Sequence, residues 1–294
     1  LMTTSPFVYR LLIPYTLGLL LPLGWLDAGW LKMLFAWGSL MAFLALMPAF
    51  TERVTGWRPT GWRLGLLWGL CLALVGAHYA LPRPFMFYYI YDLPAVPLYM
   101  LCFLALTRSA QTVTWGTLAL VWLAALNRET VVLALCQAAA WHYSCATGAP
   151  RARLQALAGF GRGCALALGL IVLTRWGLNA WIQPQGDGNV AWMEGEHVRV
   201  YANLYRMAVE PFHLRPVFFF GLGAVAWLPW AWRGLTPQLK ALGWGALPNL
   251  ALLLVAGNMV ELRIYSEFMP ALAVLALVFL LGLSKGRAAL QGAS

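Results

Sequence analysis

The residue types best suited to chemistry in this sequence lie in short polar segments between long apolar stretches. The sharpest is Asn127-Arg128-Glu129-Thr130, which interrupts the apolar stretch 112–147. An arginine can bind an anionic group, and a carboxylate can act as a general base. We therefore expect Glu129 to be catalytic and Arg128 to bind substrate. The alternative is a helix–turn–helix corner with a local Arg128–Glu129 ion pair, in which Thr130 caps the second helix.

A second polar segment, 261–270, carries three charges in seven residues between two apolar stretches. Glu261, Arg263 and Glu267 are candidate substrate-binding residues. Arg263 and Glu267 are four residues apart, a spacing at which helical side chains can pair. Pro270 suits the first turn of a last helix. A solvated loop is the alternative, but charges packed this close to apolar residues favour a site.

A third segment, 83–94, combines aromatic side chains with a carboxylate. Tyr and Phe at this density fit an aromatic belt at a membrane surface, and Asp92 before Leu-Pro also fits a helix N-cap. A carboxylate among aromatic rings is equally how a sugar-binding or acid/base site is made. Asp92 is therefore our second candidate catalytic residue. Arg83 and Arg10 are candidates for clamping a phosphate.

Arg175 and the segment 183–215 complete the candidates. Arg175 stands inside an apolar span, about 10 Å below its outer end, and it either snorkels or binds a phosphate at the membrane boundary. In 183–215, apolar and aromatic residues recur at helical spacing, which predicts an amphipathic helix on the outer membrane surface. The five cysteines form no C-x-x-C pair, so the sequence supports neither a zinc knuckle nor a redox pair. It requires no metal, although a divalent cation stays open as a cofactor.

The elements that must position these residues are membrane helices. The 294 residues are 62% hydrophobic and 10% charged, with a mean hydropathy of +0.71. A soluble chain is about 45–50% apolar and about 25% charged. The composition therefore excludes soluble enzymes, disordered tails and disulfide scaffolds. The formal charge of +10 fits the positive-inside bias of membrane proteins rather than a nucleic-acid partner.

We predict one integral-membrane domain over 1–294, an all-α polytopic bundle of about 8–10 membrane helices. Residues 11–23 are short and contain Pro14 and Pro22, which predicts an interfacial or re-entrant helix, with a full span as the alternative. The predicted spans 93–107 and 112–126 are also short. One of them could instead be a half-helix bent at Pro94 or Pro97. The predicted spans are 29–50, 62–82, 93–107, 112–126, 131–147, 160–182, 216–232, 243–257 and 268–284.

Basic residues in short loops orient this bundle. Four basic clusters fall on the cytoplasmic side if the spans alternate: Arg53, Arg58 and Arg63; Arg151, Arg153 and Arg162; Arg233 and Lys240; Lys285 and Arg287. In this topology Glu52 is the single cytoplasmic residue of the ten acidic ones. The other nine lie at or near the outer face, so we expect the chemistry on that side.

In their order and common face, these segments resemble the GT-C glycosyltransferases of bacterial inner membranes. The resemblance covers most of the chain and rests on four elements: Pro6-Phe7-Val8-Tyr9-Arg10, the aromatic-Asp92-Leu93-Pro94 element, Asn127-Arg128-Glu129-Thr130, and Glu261-x-Arg263 before a last helix. It implies transfer of a sugar from a polyprenyl-phosphate donor to a glycan, lipid or protein acceptor at the periplasmic face, among membrane lipids, sometimes with a divalent metal.

The family usually carries its catalytic carboxylate in a first outer loop. Because this chain opens on Leu1, we expect that loop to lie upstream, which leaves Asp92 and Glu129 as the nearest substitutes. A transporter or flippase of a lipid-linked or anionic substrate is the first alternative function, and it predicts charges near the midplane and symmetric halves. A polymerase or ligase of surface polysaccharide, with 183–215 as its outer loop, and a non-catalytic assembly subunit are the others.

Overall fold

The computed structural model describes residues 12–20, 27–80, 92–108, 113–181, 222–256 and 262–282. These residues form helices and short connections with no strand among them, which confirms the predicted all-α class. The α-helices are α1 (Leu12–Leu20), α2 (Ala28–Thr55), α3 (Gly61–Val75), α4 (Asp92–Leu106), α5 (Trp115–Asn127), α6 (Val132–Cys145), α7 (Pro150–Ala156), α8 (Ala158–Trp181), α9 (Ala224–Trp232), α10 (Pro237–Trp244), α11 (Leu247–Ala256) and α12 (Met269–Leu280).

Three irregular helical turns adjoin the α-helices. A π-helical turn, Gly76–Ala80, continues α3. Two 3₁₀ helices, Glu129–Val131 and Leu262–Phe268, lead directly into α6 and α12. Such turns depart from the regular α-helical hydrogen-bond ladder and are often found next to functional sites.

Helix ends coincide with recognisable capping residues. Asp27 begins α2, where its Oδ1 accepts a hydrogen bond from the Trp30 amide at 2.9 Å. Gly56 ends the same helix with a φ of 74°, a left-handed conformation that glycine adopts without strain. Thr114 caps α5 through the Thr117 amide. Pro270 lies in the first turn of α12, as predicted.

Side-chain hydrogen bonds show that α2, α4 and α6 end at one level. The Arg53 Nε donates to Thr107 Oγ1 over 3.0 Å, and the His142 Nε2 lies 2.9 Å from the Leu106 carbonyl oxygen. Nearer the middle of the bundle, the Tyr99 hydroxyl donates to Gln137 Oε1. Successive helices therefore run alternately between two ends of the molecule.

The observed helices lie in the apolar segments that the sequence predicts to be helical, with differences in length and boundaries. Helix α4 is continuous from Asp92 to Leu106, with Pro97 inside it. The expected span 62–82 is α-helical only to Val75. The span 243–257 begins later than predicted, because α10 ends at Trp244 and α11 starts at Leu247. The segment 183–215, with its predicted interfacial helix, lies outside the described residues.

The surface of the bundle is strongly apolar. Exposed large side chains include Trp30 and Trp37 on α2, and Leu173 and Trp176 on α8. Water-soluble proteins rarely expose this much contiguous apolar surface. Among the described helices, those over Ala28–Thr55 and Gly61–Tyr79 are long and apolar enough to cross a membrane, judged by length and composition.

Charges in the described residues are distributed unequally between the two ends. We call the end where α2 finishes the basic end. Its charged residues are Arg53, Arg58, Arg63, Arg108, Arg151, Arg153, Arg162, Arg233 and Lys240, with Glu52 as the acidic residue described there. At the opposite end α2 begins beside Asp27. This asymmetry follows the predicted division between the two faces of the bundle.

Candidate functional site

Asp92, Arg128 and Glu267 meet in the interior, although they come from three distant parts of the chain. The Arg128 Nη1 lies 3.4 Å from Asp92 Oδ1 and 3.4 Å from Glu267 Oε1. We call these three residues the charge cluster. The sequence predicted a role for each of them, but it did not predict that they contact one another.

Three hydroxyl groups surround the charge cluster. The Arg128 Nη1 donates to Ser266 Oγ at 3.2 Å, and the Ser266 hydroxyl in turn donates to Glu267 Oε2 at 3.2 Å. The Thr130 hydroxyl donates to Glu267 Oε1. The phenol of Tyr79 faces Ser266 and is close enough to interact electrostatically with all three charged residues. The two carboxylates are thus held by a polar network inside an apolar bundle.

The charge cluster is almost completely buried. Asp92 and Glu267 are each 1% exposed and Arg128 is 2% exposed. Removing a charge from water costs several kcal/mol unless it is paired and hydrogen-bonded. Buried, paired ionisable groups are common at functional sites, which makes these residues the candidate functional centre.

Arg128 and Glu267 lie next to the ends of regular helices, and Asp92 lies at the first described residue of α4. Helix α5 ends at Asn127, and Arg128 adopts an extended backbone (φ −159°, ψ 132°). Glu267 lies in the 3₁₀ helix before α12. These breaks bring three segments to the same end of the bundle, where their side chains converge.

One prediction about these segments is corrected by the structure. Thr130 does not cap α6, because the N-cap position is Val131 and the Thr130 hydroxyl binds Glu267 instead. Arg128 forms ion pairs with Asp92 and Glu267. The predicted pairs Arg128–Glu129 and Arg263–Glu267, and the N-cap role of Asp92, stay predictions.

The side chains of the other six candidate residues lie outside the described part of the structure. Arg10, Arg83 and Glu261 lie outside the described residues. Glu129 and Arg263 are described through their backbones, which lie in the two 3₁₀ helices that contribute to the charge cluster. The backbone of Arg175 lies in α8, near its outer end. The roles proposed for these six residues stay predictions.

Tyr79 was missed by the sequence analysis. It belongs to an apolar span and has no charged neighbour in sequence, so nothing in the pattern separates it from an aromatic core residue. The π-helical turn Gly76–Ala80 that carries it depends on tertiary contacts. The available signal for Tyr79 in the sequence was its position near the end of the predicted span 62–82, shortly before the polar segment 83–94.

A second polar layer lies at the basic end, well separated from the charge cluster. Helix α4 has 15 residues, which at 1.5 Å per residue extend about 22 Å from Asp92 to the level of Thr107. The Tyr99–Gln137 hydrogen bond lies between the two layers, and the Gln137 Nε2 donates to the Leu242 carbonyl at 2.8 Å. The rest of the intervening space is filled by apolar side chains.

Within the described residues, no group of three or more His, Cys, Asp and Glu side chains is placed to hold a metal ion. The charge cluster could take part in acid–base and electrostatic chemistry. The carboxylates of Asp92 and Glu267 can accept a proton, and the guanidinium of Arg128 can bind an anion.

No protein-family model, curated protein or solved structure matches this chain. The function therefore has to be argued from the charge cluster and its surroundings.

Proposed function

We propose that this chain is a multi-pass membrane glycosyltransferase that takes its sugar from a polyprenyl-phosphate donor at the extracytoplasmic side. The observation that carries the proposal is the charge cluster itself. Glycosyl transfer from a lipid phosphate needs a base for the acceptor hydroxyl and a cation for the phosphate. Asp92 and Arg128 supply these two groups 3.4 Å apart, at the bundle end opposite to the basic end.

The proposed reaction is a single displacement at the anomeric carbon. Asp92 accepts the proton of the acceptor hydroxyl, and the hydroxyl oxygen forms a bond to the anomeric carbon. The bond between that carbon and the phosphate oxygen breaks, and the polyprenyl phosphate leaves with the electron pair. Arg128 stabilises the phosphate charge that develops. Glu267 and the Ser266 hydroxyl hold the guanidinium in position.

A groove beside the charge cluster suits a lipid-linked donor. It has a volume of about 400 Å³, and its lining is apolar apart from one lysine: Lys32, Met33, Ala36, Trp37, Leu40, Val75 and Leu93. Leu93 directly follows Asp92, so the groove reaches the neighbourhood of the proposed base. An isoprenoid chain lying in it would bring its phosphate to the cluster from the lipid side.

The level of the charge cluster in the proposed membrane follows from helix lengths. Lys32 and Arg53 are 21 residues apart on α2, which corresponds to about 32 Å, close to the roughly 30 Å thickness of a bilayer core. If these two cations mark the two boundaries, the cluster at about 22 Å from Arg53 lies about 10 Å inside the outer boundary. The proposed reaction therefore takes place within the outer leaflet.

Burial of the cluster favours one second candidate, a transporter or flippase. Buried ionisable residues inside membranes often mark ion or proton pathways. One measurement separates the two: the purified chain in liposomes is given radiolabelled polyprenyl-phosphate sugar and an acceptor lipid extract. We expect label in the acceptor fraction with the wild-type chain.

Two variants make this experiment specific. Asp92→Asn removes the base with little change in shape and should lower the transfer rate at least about 100-fold. Glu52→Gln, an exposed carboxylate at the basic end, should leave the rate unchanged. Label that changes leaflet without reaching the acceptor would favour a flippase. Equal transfer by Asp92→Asn and wild type would overturn the assignment of the base.

A further inference from the structure

The polar layer at the basic end contains a buried donor, the indole N–H of Trp141, that no acceptor in the described part of the chain satisfies. Arg53 is fixed from two sides: its Nε donates to Thr107 Oγ1 at 3.0 Å, and its guanidinium carbon lies 4.6 Å from the Trp141 ring centroid. The indole nitrogen of Trp141 is itself buried and has no hydrogen-bond partner among the described residues. A buried donor without an acceptor normally indicates a missing partner.

A second arginine stands close to the first. Arg108 directly follows Thr107 and lies near enough to Arg53 for the two charges to repel each other. Glu52 is the carboxylate described at this end, and it pairs with Arg58 over 3.6 Å. Among the described residues no carboxylate pairs with either guanidinium group, and two neighbouring guanidinium groups are unfavourable unless an anion joins them. Guanidinium groups bind phosphate oxygens with short, charge-assisted hydrogen bonds.

We propose that Arg53, Arg108 and Trp141 form a phosphate site that holds the headgroup of an anionic phospholipid from the inner leaflet. Two guanidinium groups and an indole N–H are all hydrogen-bond donors, and the oxygens of a phosphate diester accept such bonds. The site lies about 22 Å from the charge cluster along α4 and takes no part in the proposed transfer reaction.

The level of Arg53 is what favours a lipid over a soluble phosphate. Its separation of about 32 Å from Lys32 along α2 places it where the phosphates of the inner leaflet would lie in the proposed topology. The exposed Trp62 and the half-buried Arg63 lie at the start of α3, where the Arg63 guanidinium lies 5.6 Å from the Trp62 ring. Aromatic and basic side chains are enriched at this depth of a membrane protein.

Native mass spectrometry of the purified chain tests the site, with phosphatidylglycerol as the probe and phosphatidylcholine as the reference lipid. We expect Arg53→Gln and Arg108→Gln each to raise the dissociation constant for phosphatidylglycerol about fivefold. Arg58→Gln is the matched control, since it removes an exposed charge from the same end, and its dissociation constant should stay within about twofold of wild type.

Two further variants keep the test informative. Arg108 is exposed, so Arg108→Gln should fold even if Arg53→Gln does not. Trp141→Phe keeps an aromatic ring under Arg53 but removes the N–H donor, and it should weaken phosphatidylglycerol binding while leaving the melting temperature within a few degrees of wild type. Equal binding by all variants, or equal loss in Arg58→Gln, would overturn the site. Displacement of the lipid by millimolar inorganic phosphate would show a soluble ligand and overturn the lipid assignment.

Discussion

At the scale of single residues, Arg128 holds the charge cluster together. Its Nη1 contacts both carboxylates and the Ser266 hydroxyl. Removing the cation would take from both buried carboxylates the ion pairs that they form with Arg128. Breaking a buried ion pair in this way costs about 3–5 kcal/mol, far more than the net contribution of the intact pair, because the remaining charge stays desolvated.

We therefore predict that Arg128→Met lowers the free energy of unfolding by about 3–5 kcal/mol, measured by thermal unfolding in detergent micelles. Arg58→Met is the control, because Arg58 pairs with Glu52 at an exposed site and should lose no more than about 1 kcal/mol. The triple variant with Asp92→Asn and Glu267→Gln added should recover part of the loss, since no uncompensated charge is left. Similar melting temperatures for Arg128→Met and Arg58→Met would contradict the ion pairs.

Asn249 is a buried polar residue of another kind. It is 2% exposed, and neither its Nδ2 nor its Oδ1 has a hydrogen-bond partner among the described residues. An unpaired buried amide costs roughly 1–3 kcal/mol on mutational scales. We predict that Asn249→Leu raises the melting temperature, whereas Asn249→Asp lowers it. A lower melting temperature for Asn249→Leu would show that the amide has a partner outside the described residues.

At the scale of elements, the junction between α10 and α11 depends on one glycine. A Cβ at Gly245 would lie 2.4 Å from the Gln137 Cα and 2.8 Å from its backbone nitrogen. These atoms are backbone atoms of α6 and cannot move aside as a side chain would. The close approach also brings the Leu242 carbonyl to the Gln137 amide.

We predict that Gly245→Ala destabilises the chain by at least about 1–3 kcal/mol, the usual cost of overpacking. Gly169→Ala in α8 is the matched control, because its Cβ would meet nothing within 4 Å. Alanine there should be neutral or stabilising by up to about 1 kcal/mol through its higher helix propensity. Melting temperatures of the two variants in the same detergent provide the comparison, and equal values would contradict the close packing of α6 against this junction.

The approximate positions of many helices were predictable from the sequence, because the length of an apolar stretch and the charged residues that flank it determine where a membrane helix can begin and end. The break between α5 and α6 fell at Asn127-Arg128-Glu129-Thr130 for this reason. The pairing of Arg128 with residues 36 and 139 positions away in sequence was not predictable, because it depends on how helices pack in three dimensions. The π-helical turn that brings Tyr79 to the cluster has the same origin, since a local pattern does not record tertiary contacts.

At the scale of the whole molecule, the distribution of charge and apolar surface provides the strongest argument for a membrane protein. Most of the described basic residues gather at one end, and large apolar side chains are exposed along the helices between the ends. In the proposed topology, the basic end faces the cytoplasm and the charge cluster faces the other way. Helix α2, with 28 residues, must then cross the whole membrane.

Two single-cysteine chains test this crossing. Cys145 is exposed at the basic end, so a chain that keeps it and carries serine at the other four cysteines should react with a membrane-impermeant maleimide only from the cytoplasmic side. Ala28→Cys in a chain without native cysteines places the thiol at the start of α2, where the residue is exposed, and should react only from the opposite side. Helix α2 can separate these two positions only by spanning the bilayer, because its 28 residues extend about 42 Å. Labelling of both thiols from one side of sealed vesicles would show that α2 does not cross, and it would remove the premise that the charge cluster lies within the outer leaflet.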